Sequence, residues 1–81
     1  MMYQLGWSTL PGLAGISVSE FRATPTDAAD NQGGVAMEFR SAGECEAFLR
    51  EMESAFAARR FTNAADAFDT VKAWTLERKI R

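Results

Sequence analysis

The chain has 81 residues, 47% of them apolar and 25% charged, a balance that belongs to an ordered globular domain rather than a disordered segment. It has no histidine, one cysteine and two prolines, which excludes an internal disulfide, a His/Cys zinc site and a Ser-His-Asp or Cys-His catalytic set. A net charge of −2 and a pI near 5.0 argue against direct nucleic-acid binding, which normally needs a basic face.

In chain order, a short strand is predicted around Tyr3–Trp7, followed by a turn at Pro11-Gly12, where proline presets φ and glycine accepts positive φ. Ile16-Ser-Val18-Ser alternates apolar and polar residues, the pattern of a half-buried strand. The alternation slips before Phe21, which therefore sits past a bulge or faces another partner. Residues 24–34 carry Pro25, Asp27, Asp30, Asn31 and a Gly33-Gly34 pair, so they read as a loop. Val35, Met37 and Phe39 alternate again, and the strands 16–23 and 35–40 are expected to pair as an antiparallel hairpin across that loop.

Ser41 and Glu44 form a capping box, and a helix is predicted from Ala42 to Arg59 with Cys45, Phe48, Leu49, Met52, Ala55 and Phe56 on its apolar stripe. Thr62 or Asn63 caps a second helix, predicted from Asn63 to Thr75 or one turn beyond, with Ala64, Ala67, Phe68, Val71, Trp74 and Thr75 inward. The expected fold is a single small α+β domain over residues 1–81. It should consist of an antiparallel sheet of two or three strands packed on one face by two helices.

The charges are unevenly placed. Residues 1–58 hold eight acids and three bases, and residues 59–81 hold three acids and six bases. On the first helix Glu44 and Glu51 share one flank of the stripe, and Glu46 and Glu53 share the other, with Arg50 spaced to pair with Glu46. Acids that flank a stripe, rather than interrupt it, form a solvated face and lack the apolar neighbours that split the pKa values of a catalytic pair. Cys45 lies on the stripe itself and reads as a buried, inert thiol. Gly12 and Gly15 precede a strand instead of linking a strand to a helix, so they do not form a phosphate loop. No enzyme activity, metal or cofactor is expected. No leader or membrane-spanning run is read, and a cytoplasmic location is expected.

The run Val35 to Phe56, VAMEFRSAGECEAFLREMESAF, passes from a strand through a capping serine into an acidic helix. With the strand before it, this layout resembles small phage-encoded inhibitors, among them anti-CRISPR proteins. The resemblance covers 22 of the 81 residues and supplies no motif residue to carry over. It implies a stoichiometric, non-catalytic inhibitor that docks on a host protein complex and covers a basic, nucleic-acid-binding surface. The acids expected to meet such a surface are Asp27 and Asp30 on the loop and Glu46 and Glu53 on the helix. The alternative is a self-associating protein, a homodimer buried through Trp7, Phe21, Leu76 and Ile80, the apolar residues the simple pattern leaves outside the core.

Overall fold

The structure, a computed structural model, describes residues 1–27 and 34–79. Asp30 and Ile80 lie outside the described residues. Three strands and two helices follow in the order β1 (Met2–Gly12), β2 (Gly15–Pro25), β3 (Val35–Glu38), α1 (Ala42–Phe56) and α2 (Ala64–Lys79). The sheet is antiparallel with spatial order β2-β1-β3, and both helices pack on one of its faces. The α+β architecture is the one the periodicity predicts.

The strand pairing is not. The expected hairpin between the second and third strands does not form, because β1 lies between them. The reason is burial. Tyr3, Leu5 and Trp7 alternate onto the core face and are all buried, which suits the middle of a sheet better than an edge. A middle strand bonds on both sides: Leu5 stands opposite Ala23 of β2 and opposite Val35 of β3. β1 and β2 are joined by only Leu13 and Ala14, so their pairing needs little loop closure.

That turn, at Leu13-Ala14, is also two residues later than the Pro11-Gly12 signal. Pro11 remains in the strand opposite Ile16. It can do so because β3 pairs with β1 from Met2 to Leu5, so among the described residues that side of β1 has no strand beside Pro11. Gly15 closes the turn with φ +106°, and a Cβ there would come within 2.8 Å of the Phe61 carbonyl oxygen. Gly34 has a different reason to be glycine: a Cβ would collide with the Leu5 carbonyl oxygen.

The slipped alternation at Phe21 is a bulge. The register shifts between Gly6, opposite Arg22, and Ser8, opposite Ser19, so Trp7 faces two residues of β2. Glu20 takes up the extra residue with φ +55°. The bulge returns Phe21 to the core side, with its ring 6.3 Å from that of Phe56. It also breaks the flat outer edge of β2, which has Pro25 at one end. Near the other end, Ile16 and Phe61 exchange backbone hydrogen bonds of 2.8 and 2.9 Å. The β3 edge is covered in another way, since Lys79 Nζ donates to the Ala36 carbonyl at 3.0 Å.

Helix α1 begins at the predicted Ser41 cap, with the reciprocal bond of the capping box displaced by one residue. Ser41 Oγ accepts from the Glu44 N–H at 3.2 Å, while the Glu44 carboxylate accepts from the N–H of Arg40, one residue before the cap. It ends at Phe56 instead of Arg59. Phe61 must reach the edge of β2, and the intervening residues turn out of the helix to allow it. Asn63 is the cap of α2, its Oδ1 accepting from the Asp66 N–H at 2.8 Å. This helix runs a full turn past Thr75, to Lys79. Its buried Thr75 satisfies its own hydroxyl by donating to the Val71 carbonyl at 2.9 Å.

The core joins Tyr3, Leu5, Trp7, Val18, Val35 and Phe39 to Cys45, Met52, Phe56, Phe61, Ala67 and Val71. Trp7 is 7% exposed and stacks beside Phe68 at 5.2 Å, and Phe21 is half-buried. The expectation that both lie outside the monomer's core is therefore corrected. Leu76 is exposed, as expected, and the other exposed large apolar residues among the described residues are Met1, Leu10 and Leu13. Leu10 and Leu13 mark the tip of the β1–β2 hairpin, which extends well past the four-residue β3.

Candidate functional site

An open groove of about 620 Å³ lies between β3, α1 and the last turn of α2. Three elements build it. Strand β3 and the residue after it contribute Met37, Glu38 and Phe39, and α1 contributes Glu44, Ala47, Phe48 and Glu51. The last turn of α2 contributes Arg78 and Lys79. The floor is aromatic. The Phe48 ring lies 5.5 Å from that of Phe39 and 5.6 Å from that of Trp74, and Phe39 is buried beneath it.

Carboxylates stand over this floor. The helical spacing that puts Glu44 and Glu51 on one flank of α1 turns both toward the groove, and Glu38 enters from β3. Glu51 pairs with Arg78 at 3.6 Å, and the Arg78 guanidinium lies 3.8 Å from the centre of the Trp74 ring. Glu44 pairs with the exposed Arg40 at 4.0 Å. Among the described residues Glu38 forms no ion pair. Of the two cations lining the groove, Arg78 is held by Glu51 and Trp74, and Lys79 by the Ala36 carbonyl. The groove therefore presents more carboxylates than cations, next to apolar surface that weakens the screening of each charge.

The residues singled out by charge alone are placed differently. Glu46 and Glu53 do share the opposite flank of α1 and are exposed. Glu46 does not pair with Arg50, contrary to the i,i+4 expectation: the ion pairs among the described residues are those of Glu44 and Glu51. Glu53 borders a smaller groove of about 420 Å³ with Ser17, Val18, Ser19, Glu20, Phe21, Ala57 and Arg60, where polar and apolar lining are about equal. Asp27 is exposed just past the end of β2. Leu76 is partly exposed on α2. Glu38 carries no local sequence signal for this groove, because its approach to α1 depends on where β3 ends and on the turn into the helix.

Cys45 is buried, and burial pushes its thiol pKa up, with the nearby Glu46 carboxylate adding to the effect. Its thiol is thus held in the protonated, weakly nucleophilic form at neutral pH. No helix among the described residues is long and apolar enough to cross a membrane.

Compared with known protein families, with curated proteins and with solved structures, the chain shows no match.

Proposed function

We propose that this protein is a non-catalytic binding module that docks on a basic surface of a larger protein complex and blocks it stoichiometrically. The observation that supports this most is the groove between β3, α1 and α2. It sets Glu38, Glu44 and Glu51 around an aromatic floor. Protein interfaces draw most of their energy from such places, where charge or hydrogen-bonding groups adjoin a desolvatable apolar patch. The acids of the other flank, Glu46 and Glu53, together with Asp27, extend the negative surface and act in long-range attraction, which sets association rates more than affinity. The resemblance of residues 35–56 to small phage inhibitors is consistent with the same role. A homodimer is the weaker reading, because two of its four expected contact residues, Trp7 and Phe21, are occupied within the monomer.

The test is capture of partners by the tagged full chain from a lysate of the cells in which it acts, washed at low and then high salt. The expected result is one dominant partner in stoichiometric amount, released by salt and lost when Glu38 and Glu44 are reversed to arginine. Recovery of the protein alone, with dimers by light scattering, would contradict this reading and favour self-association.

A further inference from the structure

We infer that the groove between β3, α1 and α2 takes an arginine side chain from a basic segment of the partner, and that Arg78 is the chain's own example of how it is held. This rests on the docking reading above and specifies its ligand. Arg78 lies at one side of the groove with its guanidinium 3.8 Å from the centre of the Trp74 ring and Nε 3.6 Å from a Glu51 oxygen. Its Nη1 also donates to the Trp74 carbonyl at 3.3 Å. An aromatic face, a carboxylate and a carbonyl acceptor are the set that suits a planar guanidinium.

The rest of the groove repeats that chemistry, and the one further cation described there, Lys79, is turned to the Ala36 carbonyl rather than to a carboxylate. Phe48 and Phe39 supply further aromatic surface beside Met37. Among the described residues Glu38 is not ion-paired, and Glu44 has the exposed Arg40 at 4.0 Å. An incoming arginine would lay its aliphatic stem along Met37 and Phe48 and set its fork against Glu38 and Glu44. Lysine fits less well. Its ammonium is more strongly hydrated and cannot stack or bond in the forked, two-point manner.

The probe is an amidated tetra-arginine peptide, with tetra-lysine and tetra-citrulline as controls, titrated into the isotope-labelled full chain and followed by backbone amide shifts. Tetra-arginine should bind about tenfold tighter than tetra-lysine, and tetra-citrulline should not bind. The shifts should centre on Glu38, Phe39, Glu44, Phe48 and Glu51. Glu38→Gln with Glu44→Gln should weaken binding about tenfold, and Glu46→Gln with Glu53→Gln should change it less than about twofold. Arg78→Ala provides the sharper sign: by vacating Trp74 and Glu51 it should strengthen peptide binding, whereas a purely structural role for Arg78 would weaken it. Equal binding of the lysine peptide, shifts centred on the Glu46 and Glu53 flank, or no binding would overturn the inference. If salt-sensitive capture of a partner survives any of those results, the docking reading stands and only its arginine site falls.

Discussion

Helix α1 carries two pairs of glutamates with the same spacing, Glu44 with Glu51 and Glu46 with Glu53, one on each flank of its apolar stripe. All four are exposed, and nothing in their local sequence ranks one pair above the other. The neighbouring elements make the difference. The Glu44 flank looks across a groove to β3 and α2, where Phe39, Phe48 and Trp74 meet ring to ring. Beside Glu53 lie serines of β2, the bulge residue Glu20 and Arg60, with Phe21 as the single aromatic ring lining that groove. Charge in water is worth little, and charge beside a surface that a partner can dry is worth more. A charged helix face thus becomes a candidate site through what is packed next to it.

The largest test of this contrast acts on both flanks at once. Phe56 is fully buried beneath α1 and touches the rings of Phe21 and Trp74. Phe56→Ala should cost about 3–5 kcal/mol in denaturant unfolding, and a cost below about 1 kcal/mol would mean the helix is not anchored there. Phe48→Ala should act on one flank only. Phe48 is half-buried, so the expected loss is nearer 2 kcal/mol. Partner binding should nevertheless fall more than in any Glu46 or Glu53 variant.

The ion pairs should separate the flanks by less. Glu51→Gln removes the partner of Arg78 and should cost about 0.2–1 kcal/mol of stability, with Glu53→Gln near zero. The smallest effect concerns pH. The folded state holds the Cys45 proton above the ordinary thiol value of 9.0, because of burial first and Glu46 second. Stability should be unaffected by this group below that value and fall as pH rises through it, since the unfolded chain releases the proton earlier. Glu46→Gln should flatten that slope slightly and Glu44→Gln should leave it unchanged, as read by thermal unfolding across alkaline pH.

Much of the fold was legible in the sequence because it rests on local rules. The capping box at Ser41, the stripe from Cys45 to Phe56, the Asn63 cap and the slipped alternation before Phe21 each depend on residues within a few positions of one another. Strand order was not legible, because it depends on which strand can be buried on both edges. That comparison needed β1 to be recognised at its full length through Pro11 rather than cut at Trp7. The site was half legible. The Glu44 and Glu51 flank follows from helical spacing alone. Its partners Glu38, Phe39, Arg78 and Lys79 come from segments whose approach follows from tertiary packing. The turn of α2 that carries Arg78 and Lys79 lies within the predicted bounds of that helix, but its approach to β3 does not follow from helical spacing.

The most direct measurement is the affinity of the full chain for its captured partner at two salt concentrations, comparing Glu38→Gln/Glu44→Gln with Glu46→Gln/Glu53→Gln. The groove account predicts about a tenfold loss and a shallower salt dependence for the first pair, with the second within about twofold of the unaltered protein. Equal losses from both pairs, or a larger loss from the second, would contradict it and return the contact face to the flank beside β2.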